Sequence, residues 1–345
     1  MVRLFCAFGT SLINCHFLRK LNMLNQQLGQ MSVQTGPAQD EAVCLSSFVE
    51  HNRPFLQPPV SNRMLYNGKN LKVMIVGGPN ERDDFHVQAG EEFFYQITGT
   101  MNLDVMQEGK RTRLSIPEGH MFVLPSHVPH SPQRYAHSIG LVVERARNSD
   151  ELDELRWYWP ESNATLYTET FFCTDLGTQI KSVIERFAVS GKSRILTLGT
   201  AALTETETES PTSPEPPILT PMPQSFASLI SPGGVKSEYP ICLVDSEFVV
   251  DLYNCCGACT GIRHTPGQEV FLFMAKGTCT IFTEMDPLLG GSSSGGLSAM
   301  LKIPPIDLRE NNVCLLSAGS FARSVQLIEP ESVLISIFTR KVKNK

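Results

Sequence analysis

The chain has 345 residues, 41% hydrophobic and 19% charged, the balance of a globular protein and enough length for two domains of ~100–150 residues. A formal net charge of -6 without any dense Lys/Arg run excludes the basic footprint that nucleic-acid phosphate demands. No apolar stretch approaches the ~20 residues that span a bilayer, so no membrane partner is expected.

Residues 1–35 carry no acidic side chain and include Arg3, Arg19 and Lys20, with Met31 a second possible start. Asn14, Cys15 and His16 break their apolar part, so both a transit peptide and a disordered, dispensable extension remain open. Residues 1–40 are therefore set apart from the fold. A first domain is expected over 41–199. Short β-type runs (Leu71–Val76, Glu92–Ile97, Met101–Gln107, His120–Leu124 and Leu141–Glu144) are separated there by turn residues such as Gly77-Gly78-Pro79-Asn80, Gly99 and Glu108-Gly109. That spacing predicts a sandwich or barrel. After Asp175, the residues Leu176, Ile180, Val183, Ile184 and Phe187 recur at helical spacing and predict a helix.

Residues 200–222 are rich in Thr, Glu and Pro, offer little to bury and read as a solvated linker. A second domain over 223–345 returns to β character in Ile241–Val244, Phe248–Leu252, Val270–Met274, Thr278–Phe282, Val313–Leu316 and Val333–Phe338, with a flexible loop at Leu288–Leu297. The ten cysteines lack regular spacing, so reduced thiols and a cytoplasmic location are expected. Cys255, Cys256 and Cys259 contain one C-x-x-C pair, without the further ligands that a structural zinc site needs.

The segment Arg82–Gly99 reads RDDFHVQAGEEFFYQITG. His86 and Glu92 are an even number of residues apart and would share a face of a regular strand, although Ala89-Gly90 interrupts it. Gly119–Arg134 then reads GHMFVLPSHVPHSPQR, a strand and a proline-pinned turn that reaches His130. These two segments resemble the paired motifs of the cupin superfamily. The first motif runs His-x-His, three or four residues, Glu, six residues, Gly. It is matched by His86, Glu92 and Gly99, with Gln88 in place of the second histidine. The second runs Gly, five residues, Pro-x-Gly, two residues, His, three residues, Asn. It is matched by Gly119, Pro125 and His130, with His127 at the inner glycine and Arg134 at the asparagine.

Within the cupins, GGPNERDDFHVQAGEEFFYQITGTMNLDV together with LPSHVPHSPQR and GLVVER is similar to the 3-hydroxyanthranilate 3,4-dioxygenases, densely over 71–145 and more loosely to 180. The resemblance implies an all-β bicupin with a few short helices and one Fe(II), held by His86, Glu92 and His130. Two histidines and one carboxylate are the ligand set of non-haem iron oxygenases that keep open positions. It further implies substrate contacts from Glu92, Arg134 and Glu144, and a place for Arg82 in the pocket near dioxygen. The implied reaction opens the ring of 3-hydroxyanthranilate with O2 to 2-amino-3-carboxymuconate semialdehyde, a precursor of quinolinate and NAD in the kynurenine route of tryptophan breakdown.

Physical chemistry agrees with these roles. A guanidinium fork grips a carboxylate with two charge-assisted bonds, and Glu144 within GLVVER needs a positive or protic partner if buried. Duller alternatives stand beside them: Arg82 as a solvated partner of Asp83 or Asp84, His127 as a rival ligand placed at the mouth by the motif register, His120 as a surface residue, and Phe93-Phe94-Tyr95 as barrel core. The second domain echoes the first without its ligands. Gly277 stands for Gly99, Val270 for Glu92 with Glu269 one residue out of register, and Ala322 for His130. Two barrels in one chain replace the interface of one-barrel dimers, so a monomer is expected. Bacterial relatives carry a cysteine-rich C-terminal iron site that Cys256 and Cys259 do not reproduce. Two other functions compete: a cupin dioxygenase for another ortho-aminophenol or catechol, and a non-catalytic cupin that binds a small acid or serves as a scaffold.

Overall fold

The computed structural model describes residues 36–58, 61–174, 176–193, 224–225, 246–254, 261–265, 267–285 and 304–340. The expected extension up to residue 35, the linker at 200–222, the Ile241–Val244 strand, the Cys255, Cys256 and Cys259 cluster and the Leu288–Leu297 loop lie outside them. Everything below concerns the compact unit Pro37–Lys345.

Two antiparallel β-barrels make up this unit. The first is built from β2 (Asn62–Asn67), β3 (Leu71–Gly77), β4 (Phe85–Val87), β5 (Glu92–Thr98), β6 (Met101–Gln107), β7 (Lys110–Ile116), β8 (His120–Leu124), β9 (His130–Arg134), β10 (Ile139–Arg145), β11 (Asp153–Tyr158) and β12 (Thr165–Phe171). The last is followed by the helix α2 (Leu176–Val189). The strands form sheets in the order β13-β8-β5-β10-β3-β2 and β12-β11-β4-β9-β6-β7, where β13 is Gln224–Ser225. The second barrel comprises β14 (Phe248–Tyr253), β15 (Val270–Lys276), β16 (Thr278–Met285), β17 (Ile306–Arg309), β18 (Asn312–Leu316), β19 (Ser320–Leu327) and β20 (Val333–Thr339). Its sheets run β1-β18-β15-β20-β14 and β17-β16-β19, with β1 (Val43–Cys44) leading into the helix α1 (Leu45–Asn52).

The domain boundaries read from composition differ from those of the sheets. Val43–Cys44, within the expected first domain, pairs with β18 of the second barrel. Gln224–Ser225, within the expected second, pairs with β8 of the first. Each barrel thus borrows a two-residue edge strand from the other's segment, an exchange too short to leave a compositional mark. Among the described residues, no helix is long and apolar enough to cross a membrane.

Alternation along the strands sorts the core into layers. On β5, Phe94 faces the interior of the first barrel with Met74, Leu103, Val105, Phe122 and Val142. Phe93 and Tyr95 face the opposite way, into a layer shared with Phe248, Val250, Phe271, Phe273 and Ile335 of the second barrel. The aromatic run is therefore core on two different faces, which is why β5 reads as continuously apolar. Tyr95 and Phe273 meet across this layer with ring centroids 5.1 Å apart. The predicted helix is present as α2, with Val183 and Phe187 buried against Leu155, Trp157 and Leu166; Ile184 lies off that face and is exposed.

The two barrels lock each other reciprocally. Gly99 (φ +68°) ends β5 and Gly277 (φ +78°) ends β15, both in the left-handed region that glycine enters freely. Eight residues before each lies a buried glutamate, Glu91 and Glu269. Glu91 accepts hydrogen bonds from the Ser246 hydroxyl and, at 3.1 Å, the Phe248 N–H at the start of β14. Glu269 accepts from the backbone N–H groups of Lys69, Asn70 and Leu71 at 2.8, 2.6 and 3.0 Å, at the start of β3. The register slip that sets Glu269 apart from the Glu92 position therefore has a cause: Glu269 is the counterpart of Glu91. Glu269→Ala leaves three peptide N–H groups without their acceptor. It is expected to cost about 3 kcal/mol while preserving a single cooperative transition, as read by urea unfolding.

Candidate active site

The ladder brings the motif residues together inside the first barrel. His86 on β4 is the cross-strand partner of His130 on β9, and their ring centroids are 5.3 Å apart. On the facing sheet, Glu92 of β5 pairs with Glu144 of β10. Directly opposite residues of antiparallel strands share a face, so both carboxylates and both imidazoles line one interior. All four are almost completely buried. Among the described residues no set of three or more His, Cys, Asp or Glu side chains has its donor atoms already gathered as around a bound ion. What is present is two pairs, His130 with Glu92 and His86 with Asp153.

Each histidine has its tautomer set from behind. His130 Nδ1 lies 2.9 Å from the Val128 carbonyl, which can only accept, so Nδ1 carries a proton and Nε2 is the nitrogen turned toward Glu92. His86 Nε2 lies 2.7 Å from Asp153 Oδ2, and Asp153 stays ionised: burial opposes its charge, but His86 and Arg147 hold its carboxyl well below the usual range. His86 therefore donates from Nε2 and keeps the Nδ1 lone pair free. Burial also lowers the His86 pKa, which favours the neutral imidazole that a metal takes.

Glu92 Oε2 supplies the test of whether these residues fit a cation. It is buried and stands 2.9 Å from His130 Nε2, yet makes no hydrogen bond of acceptable geometry. Two lone-pair atoms at this separation repel unless a proton or a metal ion sits between them. The 2.9 Å between them is the length of a hydrogen bond, and the proton on that line is what a cation would replace. Burial raises the Glu92 carboxyl, but His130 and His86 outweigh it and the net shift is downward. Burial lowers His130, and Glu92 reverses it to a net rise. Two imidazoles and a carboxylate are donor types that suit a divalent metal, and among the described residues no three of them are placed to hold one as they stand.

The remaining predicted residues fall differently. Arg134, on β9, is 2% exposed; its recorded side-chain hydrogen bond is a long one of 3.5 Å to Gln96, and among the described residues it has no ion pair. Burial brings its pKa down to about 10, against the pull of Glu92. Room for it is made by Gly140, where a Cβ would stand 2.5 Å from Arg134 Nη1. Arg82 takes the duller of its two expected roles, at least in part. Its guanidinium pairs with Asp84, while its charge still reaches Glu92 and Arg134. Glu144 is pushed up to about 7 by burial, with Arg147 pulling it down and Glu92 pushing it further up. His127 has φ +61°, the left-handed conformation expected of the glycine it replaces, and donates its N–H to the Gln88 carbonyl. His120 is half-buried at the start of β8, its ring against the Glu118 carbonyl.

Two residues here escaped the reading of the sequence. Asp153, at the start of β11, orients His86, and Arg147, just past β10, binds Asp153, Glu144 and Gln88. Both lie in ERARNSDELDEL, a charged stretch that resembles a solvated loop. The signal that was available is the Asp153, Leu155, Trp157 alternation, which places Asp153 on a buried face.

Comparison with known proteins follows this geometry. The model of the family described as 3-hydroxyanthranilic acid dioxygenase matches residues 38–188, which is the first barrel and its helix. The 3-hydroxyanthranilate 3,4-dioxygenase of Meyerozyma guilliermondii is 45% identical over 160 residues, covering 46% of this chain and 94% of that one. The Homo sapiens protein of the same name is 47% identical over 148 residues, 43% of this chain and 51% of that one. The match thus spans about half the length of the mammalian relatives. A cupin 2 conserved barrel domain protein from Leptotrichia buccalis overlays on 88% of the chain, and over 98% of its own, with TM-score 0.48 and 7% identity, from which nothing is drawn. Through its first barrel, the chain belongs to the 3-hydroxyanthranilic acid dioxygenase family.

Proposed function

We propose that the first barrel binds one Fe(II) through His86, Glu92 and His130 and opens the ring of 3-hydroxyanthranilate with dioxygen. The name of the family's members supports the substrate, and the observation that carries the reading is Arg134. A guanidinium buried in the same interior as the two imidazoles, without a carboxylate partner, is costly unless an anion completes it. The carboxylate of an aromatic acid supplies that anion, with fork-on-fork geometry.

When bound, Fe(II) supplies a redox centre with open positions for an ortho-aminophenol and for dioxygen. The chain supplies the rest. Arg134 fixes the substrate's carboxylate and so the direction of its ring. Glu144, balanced near neutrality, holds or receives a proton at its carboxyl oxygen beside the substrate's amine and phenol. Arg82, paired with Asp84, adds positive charge at the same interior without a free fork. The product is 2-amino-3-carboxymuconate semialdehyde, which places the chain on the route from tryptophan through kynurenine to quinolinate. A monomer fits the shared layer between the barrels, which covers the outer face of the first barrel's β5 and β10. A cytoplasmic location fits reduced cysteines; among the described residues Cys44, Cys173, Cys279 and Cys314 form no disulfide.

After anaerobic loading with Fe(II), one dioxygen is expected to be consumed per 3-hydroxyanthranilate, and His130→Ala to abolish uptake. Absence of uptake by correctly loaded protein would sink the substrate. Arg134→Lys keeps a charge but loses the fork, so KM should rise about 100-fold, from the ~2–3 kcal/mol of a charge-assisted pair; an unchanged KM removes Arg134 from the substrate. Glu144 generates a stability prediction. Its folded pKa of about 7 lies above its ordinary 4.5, so the folded protein binds more protons in that window and loses stability as pH rises through it. Glu144→Gln should therefore gain on wild-type metal-free protein between pH 4.5 and 7, by on the order of 3 kcal/mol at most, measured by urea unfolding at both pH values.

A further inference from the structure

Arg147 belongs to neither the ligand set nor the substrate contacts. It follows β10 by two residues, is buried, and turns its guanidinium into the gap between the two sheets of the first barrel. Nη1 donates to Glu144 Oε2 at 2.8 Å, on the sheet that carries Glu92. Nε and Nη2 donate to Asp153 Oδ1 and Oδ2 at 2.8 and 2.7 Å, on the sheet that carries the histidines. Nη2 also donates to Gln88 Oε1 at 2.7 Å.

We infer that Arg147 is a positioning residue for the metal centre, holding Asp153 so that Asp153 fixes the tautomer and direction of His86, and holding Glu144 in the same grip. The inference rests on the metal reading above and deepens it. Three features carry it. Asp153 makes a bidentate pair with Arg147 and a third bond to His86, so its position is determined by both neighbours at once. Asp153 Oδ2 accepts from Arg147 Nη2 and meets His86 at Nε2, 2.7 Å away, so the ring is held with Nδ1 on its opposite side. Gln88 occupies the position at which the resemblance would put a further histidine, and its carbonyl oxygen is engaged by Arg147. Lysine cannot reproduce this, because a point charge with three donors cannot make a fork to one carboxylate while reaching a second carboxylate and a carboxamide.

Groups that orient a ligating histidine contribute about 10–100-fold to metal affinity. The test is anaerobic titration of metal-free protein with Co(II), followed by its visible absorption, on wild type, Arg147→Lys, Asp153→Asn and the double variant, with the thermal midpoint of each metal-free protein beside it. Arg147→Lys is expected to weaken Co(II) binding at least 10-fold. Asp153→Asn, which turns an amide NH2 toward Arg147, should weaken it by a similar factor, and the double variant by no more than the larger single effect. A structural role alone would lower the thermal midpoint and leave the affinity of the folded protein within 3-fold of wild type; that result overturns the inference. If Arg147→Lys does not fold, Asp153→Asn decides alone by the same threshold. Failure of wild type to bind Co(II) would strike the metal reading itself, and is distinct from tight binding by all four proteins.

Discussion

The imidazoles of His86 and His130 lie in the interior of one small barrel among the carboxylates of Glu92, Glu144 and Asp153 and the guanidiniums of Arg82, Arg134 and Arg147, and the rest of the site follows from how that charge is neutralised. A lone buried charge costs several kcal/mol, so each must find its opposite within a few ångströms. Asp153 is answered by Arg147 and His86, Glu144 by Arg147, and Glu92 faces His130. Among the described residues two positions remain incompletely answered: Glu92 Oε2, which has no hydrogen-bond partner, and Arg134, which has no ion pair. One calls for a cation and the other for an anion. A metal and an acidic substrate are the complements of these two incomplete positions.

Much of this was legible in the sequence because the relevant signals are local. The resemblance to the cupin motifs carried His86, Glu92 and His130, and spacing carried the strands that contain them and the twin glycines that terminate β5 and β15. The alternation that separates Phe94 from Phe93 and Tyr95 was present too, but a strand buried on both faces looks uniformly apolar and conceals it. What could not be read was partnership across distance. Arg147 is recognisable only when β4 and β11 stand side by side, as His86 opposite Leu155 records. Arg82 pairs with Asp84, only two residues away, which is the duller of the roles weighed for it. The exchange of β1 and β13 between barrels was equally invisible, because two residues of edge strand carry no pattern.

The second barrel shows what the first would be without these charges. Its interior is filled by Val249, Leu272, Met274, Ile281, Leu316 and Leu334, with Val270 where Glu92 stands in the first. Apolar packing of this kind contributes stability directly. One architecture thus serves twice, once as a container for chemistry and once as a solid body against which the container rests.

That rest is not passive. Glu91, which receives Ser246 and Phe248 of the second barrel, is the chain neighbour of Glu92, and its own N–H is held by Glu247. Glu247 also binds Arg145, the chain neighbour of Glu144. Glu92 and Glu144 therefore each sit one peptide away from an anchor in the other barrel. The pitch of that short segment is set from outside the first barrel's interior, and the second barrel is the anvil against which the first is shaped.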